Sequence, residues 1–470
     1  MNVKLSQREE EFLDFSLNGA MGKVIFHVCA PLALYQSLAQ LFKILDSLMA
    51  AHISPAAVST VSYLSQVNLA LSALGSGLAV GAGIKISEAY GAGDQELVKQ
   101  RVSSLFALCA LMGGLLLFVL APLAAPFLRL MRTPEEFILE GSLYFILELF
   151  GLAITFFNHV YISVERARGN SSRILFLNMA VIVAKLALTA WFVYGFGSGI
   201  NMIAVATVLS QGLLMAAGIV NLSQKGNAFS FSLHKVSFRK NVIGPMVSLS
   251  FPVIVEKIAF SLGKVAVNSM SVAYGALTVG ALGISNQIGG ITTTPQNGVQ
   301  EGGSAIISQN LGGGKPERAL SAFWWMLAVN IGFGAVFMSI TLLYLEQISC
   351  FFAKNHEEFS RMIQEIYRFE ALGAIPLGIN AAVQGLLYGF GKTKTTLIIN
   401  FSRVFVFRIP VLWALQRFTS LGSVSAGIVM GVSNVSIGIL SLGIGIYEVK
   451  KIRHQAKGYR AHNPLTNGAI

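Results

Sequence analysis

Residues 86–101 read ISEAYGAGDQELVKQR, and residues 307–319 read ISQNLGGGKPERA. Shifted by 221 positions, Ile86, Ser87, Gly91, Gly93 and Glu96 of the first fall on Ile307, Ser308, Gly312, Gly314 and Glu317 of the second. The register runs upstream through Gly81/Gly302, Gly77/Gly298, Gln66/Gln287, Val58/Val279, Met49/Met270, Lys43/Lys264, Leu41/Leu262 and Pro31/Pro252. That is 13 identities over 66 positions without an insertion. A shift of 222 then pairs Glu148 with Glu370, Asn158 with Asn380, Gly169 with Gly391, Asn178 with Asn400 and Trp191 with Trp413. The chain is a duplication, and each half is expected to repeat the fold of the other.

Composition identifies the solvent. Hydrophobic residues make up 54% of the chain and charged ones 12%, with a mean hydropathy of +0.65; an ordinary soluble domain has about 25% charged residues. Charge-free stretches cover Pro55–Ile84, Val102–Leu128, Leu186–Gln224, Val265–Gln300, Ala319–Leu345 and Phe418–Tyr447. Each exceeds the roughly 20 residues that cross a bilayer as a helix. The sequence therefore predicts an all-α integral membrane protein. Its N-terminus is polar and acidic, so a cleaved signal peptide is not expected. Cys29, Cys109 and Cys350 are odd in number and imply no disulfide framework.

Twelve helices are predicted, over 24–50, 56–86, 102–128, 137–163, 173–195, 202–222, 243–274, 277–308, 319–350, 363–388, 396–416 and 422–447. They form two homologous six-helix bundles. The resulting domains are an N-terminal tail (1–23), an N-lobe (24–222), a basic linker (223–242), a C-lobe (243–447) and a basic tail (448–470). With the N-terminus inside, the inside loops and tails carry 21 Lys and Arg against 5 outside. That bias places both termini in the cytoplasm, in a plasma membrane or a bacterial inner membrane. The basic tail KKIRHQAKGYR is then expected to touch anionic lipid rather than nucleic acid. Six helices per half preserve orientation, so the halves are related by an axis along the membrane normal, with ligands near the midplane.

The paired GAGD and GGGK segments resemble the duplicated signature of the multidrug and toxic compound extrusion (MATE) transporters. The first helix, APLALYQSLAQLFKILDSLMAA, resembles that family's opening helix, with Asp46 fifteen residues after Pro31. RARGNSSR (166–173) and GFGKTKTTLIINFSRVFVFRIPVLW (389–413) fit its patterns too. The resemblance runs from about Gly19 to Lys450 and implies a V-shaped twelve-helix exporter that exchanges a solute for protons or sodium ions. GFGKTKTT is not a P-loop, because Leu386 stands where its first glycine belongs and no strand precedes it. With no other energy-coupling motif, transport is expected to be secondary, and the protein is not an enzyme.

An ionisable residue inside a bilayer costs about 2.5–3.5 kcal/mol at mid-helix, so it faces protein or water and marks function. The acids at depth are Asp46, Glu148, Glu256 and Glu370. By resemblance, Asp46 matches the first-helix coupling acid, Glu256 a helix-7 acid and Glu370 a helix-10 acid of some branches. These three form the expected cation-coupling set, with structural ion pairing as the alternative. The family often carries NxxxD on helix 5, where this chain has KLALT, so Lys185 stands for Asn and Thr189 for Asp. Lys43 and Lys264 likewise stand where relatives have Asn. Lys43 is three residues from Asp46, on the same helical face. Lysines beside a carboxylate disfavour sodium, so protons are the expected coupling ion and no cofactor or metal is implied. Lys43, Lys185, Thr189 and Lys264 are expected to modulate coupling, or else to snorkel or pair structurally. Tyr35, Gln66, Asn68, Asn286, Gln287, Asn380 and Arg403 are candidates to line the substrate cleft, with helix–helix hydrogen bonding as the alternative.

The expected function is export of small organic solutes by alternating access, from a monomer whose partners are solute and lipid. A lipid-linked precursor flippase, an organic-anion exporter using Lys185 and Arg403, and a non-transporting scaffold are the competing readings.

Overall fold

A computed structural model describes residues 4–50, 55–130, 135–195, 200–223, 227–353 and 356–462, without the side chains of 42–50, 55–63, 65, 66 and a few others. It is all-helical. The helices are α1 (Gln7–Asn18), α2 (Met21–Ala50), α3 (Pro55–Gly91), α4 (Gln95–Leu120), α5 (Ala124–Leu130), α6 (Glu135–Ala167), α7 (Ser171–Ala190) and α8 (Ile200–Leu222). After the linker come α9 (Lys240–Ser271), α10 (Ala276–Gly312), α11 (Pro316–Leu343), α12 (Leu345–Ala353), α13 (Glu357–Ala371), α14 (Ala374–Gly389), α15 (Thr393–Phe405), α16 (Ile409–Phe418) and α17 (Val424–His462).

Among the described residues ten helices are long and apolar enough to cross a membrane, or eleven if α13 and α14, which meet at 47°, form one span. Helix α10 is not among them. It has 37 residues, but Ser285, Asn286, Gln287, Thr292, Gln296 and Gln300 make it polar for its length.

The predicted helices over 102–128 and 319–350 are each broken in two, at Ala121–Leu123 and at Tyr344, and three further elements depart from the predicted segments for a local reason. Residues 7–18, within the predicted tail, form a helix whose Glu9, Phe12 and Ser16 are buried; their spacing of three and four puts them on one face. The predicted helix over 363–388 breaks at Leu372–Gly373, where Pro376 cannot donate to the Leu372 carbonyl. The predicted helix over 396–416 breaks before α16, whose Pro410 withholds the same bond from Val406.

Contacts divide the chain into two compact units: Met1–Glu10, Leu34–Ile86 and Asp94–Val265 form unit 1, while Glu11–Ala33, Ser87–Gly93 and Ala266–Ile470 form unit 2. In unit 1, α9 packs on α3 at Gly81, where a Cβ would stand 2.4 Å from the Ser250 nitrogen. Ser250 Oγ donates to the Leu78 carbonyl at 3.1 Å. In unit 2, α2 packs on α10 at Gly302, where a Cβ would stand 2.9 Å from Cys29 Sγ. Cys29 Sγ contacts the Val299 carbonyl at 3.6 Å. Small residues let two helix backbones approach this closely inside a membrane. The core of unit 2 gathers Ile288, Ile363, Ile366, Leu412 and Val429 from four different helices.

The turns repeat as well. Gly93 and Gly314 adopt φ of 75° and 71°, and Gly169 and Gly391 adopt 80° and 68°, a left-handed conformation that favours glycine. Past the first turn, Asp94 caps α4 by accepting from Leu97 N at 3.0 Å. Lys99 Nζ ties the linker into unit 1 through the Asn227 carbonyl at 2.8 Å and Ser230 Oγ at 2.9 Å. Past the second turn, Arg318 donates to the Ser16 and Gly19 carbonyls at 3.3 and 2.7 Å and fixes the end of α1 within unit 2.

Candidate functional site

Glu370 lies near the end of α13, two residues before the break. Its carboxylate accepts from Ser285 Oγ of α10. One turn further along α10, a Cβ at Gly289 would stand 2.8 Å from Glu370 Oε1, so the glycine makes room for the acid. Arg403 of α15 and Arg408 in the α15–α16 break both donate to Asn434 Oδ1 of α17, at 2.8 and 3.2 Å. Arg408 Nε also donates to Ser433 Oγ at 2.9 Å. Both guanidinium groups interact electrostatically with Glu370. Arg408 and Asn434 are 3% and 1% exposed. Buried charges in such surroundings need hydrogen bonds of their own, which Ser285 gives Glu370 and Ser433 and Asn434 give Arg408.

The repeat partner of Glu370 is Glu148, on the α6 segment Gly141–Ala167 that qualifies as a span. Asn68 Nδ2 of α3 donates to Glu148 Oε2 at 2.5 Å. Asn68 is itself the repeat counterpart of Gly289, so the same junction holds an acid in each half with a different neighbour.

Other expected site residues are distributed more widely. Glu256 is buried on α9. On α7, Lys185 is half-buried, and Thr189 is buried with a hydroxyl that has no hydrogen-bond partner among the described residues. Lys264 is exposed, with its ammonium 5.2 Å from the centre of the Phe260 ring one turn earlier on α9. Tyr35 and Gln287 are half-buried. Asn286 donates to the Leu282 carbonyl of its own helix at 2.9 Å. Asn380 accepts from Ser441 at 2.7 Å and Gln384 at 3.1 Å, a bond within and between α14 and α17. The side chains of Lys43, Asp46 and Gln66 lie outside the described residues; Lys43 and Asp46 belong to α2 and Gln66 to α3. Of the expected set, Glu370 and Arg403 thus share one cluster, while Asn68 meets an acid outside that set. Arg408 and Asn434 were not among the expected site residues; their polarity within apolar runs was the available signal, and Arg408 stands in the α15–α16 break. Among the described residues, no three His, Cys, Asp or Glu side chains gather as metal ligands.

Duplicated membrane helices with carboxylates held at depth define a transporter scaffold. The family model MatE matches residues 31–191 and 252–414, one copy in each half, and the chain belongs to this family of multidrug efflux transporters. Its members are transporters, not enzymes. The chain is 23% identical over 408 residues to "Probable multidrug resistance protein NorM" of Thermotoga maritima, covering 84% of this chain and 85% of that one. It is 23% identical over 448 residues to multidrug resistance protein PmpM of Pseudomonas aeruginosa, covering 88% and 89%. Its fold is similar to the outward-facing conformation of a multidrug resistance MATE family transporter of the MOP superfamily. That likeness has a TM-score of 0.89 at 18% identity and covers 96% of this chain and 99% of that one.

Proposed function

We propose that the protein is a secondary antiporter that exports small organic solutes by alternating access, in exchange for protons in preference to sodium ions. The observation that carries this reading is the match of both halves to one transporter family unit, joined to acids buried in those halves. A carboxylate suits such coupling because it binds a cation or a proton in one conformation and releases it in the other.

In this reading Asp46 accepts the coupling cation. Glu256 contributes from α9, and Glu370 contributes by exchanging its interaction with Arg403 and Arg408 for a proton. Lys43, Lys185 and Lys264 set how strongly a cation is held, and Thr189 offers its buried hydroxyl. Tyr35, Gln66, Asn68, Asn286, Gln287, Asn380 and Arg403 line the path of the solute. The chain crosses the membrane twelve times in two six-helix bundles, with α10 a polar span and α13–α14 a broken one. Broken helices at depth suit ion and solute sites. The protein acts as a monomer in a plasma or bacterial inner membrane, with both termini in the cytoplasm and its basic tail against anionic lipid.

Counterflow in proteoliposomes tests the proposal, with ethidium as the cationic solute and a proton or sodium gradient imposed in turn. The expected result is ethidium movement against the imposed proton gradient, with a smaller response to sodium. Movement that ignores both gradients would refute coupling.

A further inference from the structure

Inside unit 2, α10, α11 and α14 meet at a junction of amides. Asn330 stands near the centre of α11, which qualifies as a membrane span from Pro316 to Leu343. Asn330 and Gln296 of α10 are 0% and 1% exposed. Gln296 Nε2 donates to the Asn330 backbone carbonyl at 3.1 Å and to the Ala374 carbonyl at 2.9 Å. Glycines let the three helices close on these groups. A Cβ at Gly378 would stand 2.6 Å from the Asn330 carbonyl oxygen and 2.8 Å from Gln296 Nε2. One at Gly334 would stand 2.8 Å from the Ala374 carbonyl oxygen.

Three buried side-chain atoms here have no hydrogen-bond partner among the described residues: Gln296 Oε1, Asn330 Oδ1 and Asn330 Nδ2. Reversing an amide does not remove them. Both groups facing the Gln296 NH2 are carbonyls, so a flipped Gln296 would set oxygen against oxygen. Asn330 has both ends unused, so flipping it changes nothing. Each of these atoms has given up water without gaining a bond, a state that proteins tolerate at few positions.

Unit 1 shows the same junction built from apolar groups. Counting back along the repeat, by 221 on α10 and α11 and by 222 on α14, gives Gly75 for Gln296, Cys109 for Asn330 and Phe156 for Gly378. The buried Phe156 ring lies against Gly75, where a Cβ would stand 2.3 Å from it. In unit 2 the glycine has changed sides, an amide stands in place of the ring, and a second amide replaces the thiol.

We propose that Gln296 and Asn330 form a binding site for internal water in unit 2. Two amide oxygens call for donors, and one NH2 group calls for an acceptor. A metal ion satisfies only the oxygens and an anion only the NH2 group, whereas water satisfies both. Three polar partners are the usual complement of a buried water. The place suits it, because Gln296 also holds the carbonyl of Ala374, the first residue of α14 after the break from α13. Ordered water is one of the means by which a membrane helix tolerates such a break. The site rests on this junction alone and stands whether or not the protein is an antiporter.

The test uses purified full-length protein. A density map at a resolution that shows ordered water is expected to contain a peak within hydrogen-bond distance of Gln296 Oε1 and of the Asn330 amide. Asn330 bonded directly to Gln296 Oε1, with no peak beside them, would overturn the proposal. Thermal unfolding of Asn330→Cys in detergent gives a second reading, since Cys is close to Asn in size and is the residue unit 1 uses. Water at the site predicts a midpoint lower by a few degrees, because the change removes two of its three partners and strands Gln296 Oε1. An unchanged or higher midpoint would also overturn it, because the change would then only have removed two unsatisfied atoms. If Asn330→Cys does not fold, the map decides.

Discussion

Ser250 stands 221 positions after Cys29, and the two make the same contact. Ser250 Oγ donates to the Leu78 carbonyl at 3.1 Å, while Cys29 Sγ contacts the Val299 carbonyl at 3.6 Å, and Leu78 and Val299 are themselves 221 apart. The duplication is thus preserved as a pair of bonds, one inside each unit, although the side chains differ. The hydroxyl makes the shorter, stronger bond. Ser250→Ala is expected to cost about 1 kcal/mol and Cys29→Ala less, as read by thermal unfolding in detergent. A larger loss from Cys29→Ala would contradict the equivalence.

At the ends of α3 and α10 the approach is closer still. A Cβ at Gly91 would meet the Gln309 carbonyl at 1.9 Å, and one at Gly312 would meet the Glu88 carbonyl at 1.9 Å. Both obstacles are backbone, so a methyl group cannot be accommodated by moving a flexible side chain. Gly91→Ala and Gly312→Ala are each expected to destabilise by about 1–3 kcal/mol, the usual cost of overpacking. Their thermal midpoints, compared with that of Gly114→Ala, check this; a Cβ at Gly114 meets nothing within 4 Å.

Arg408 is buried and donates to Ser433 and Asn434. Arg408→Met is expected to destabilise unit 2 by about 1–3 kcal/mol, since it takes a charged donor from the buried Ser433 and Asn434 and weakens the positive field at Glu370. Arg408→Met combined with Glu370→Gln is expected to lose less than the sum of the two single changes. A double-mutant cycle in urea or by thermal unfolding measures the difference. Strict additivity would show that the two groups do not act together.

Glu9 on α1 accepts from Asn227 Nδ2 at 2.8 Å and lies 3.6 Å from Arg168, which pairs with Glu165 at 2.9 Å. Glu9→Ala is expected to cost about 1–3 kcal/mol and to make the segment after Asn227 more open to protease. Limited proteolysis of full-length protein reads the effect. An unchanged cleavage rate would mean that the bonds of Lys99, Ser103, Ser104 and Glu96 to the linker suffice to fix it.

Much of the fold was legible in residues 31–96 and their copy. The paired glycines at 77, 81, 91 and 93 mark close helix approaches and a left-handed turn, and all recur 221 positions on. Helix breaks were less legible, because Pro376 and Pro410 sit in runs apolar enough to be read as continuous. The α1 helix was hidden by its acidic composition, and its apolar face is only Phe12 and its neighbours. At the site, the sequence located Glu370 and Arg403 at depth but not their meeting, which depends on how the breaks turn α15 and α16. Asn68 was legible as a polar cleft candidate. That it serves Glu148 depends on which faces of α3 and α6 meet, and one sequence does not give helix rotation.

The most direct test of cation-coupled export is ethidium counterflow in proteoliposomes under an outward-to-inward proton gradient, comparing wild type with Asp46→Asn. The account predicts gradient-driven movement in the wild type and about a hundredfold less in Asp46→Asn, the scale of losing ~2.7 kcal/mol of coupling, with unchanged thermal stability. Equal gradient-driven movement in both proteins would contradict it.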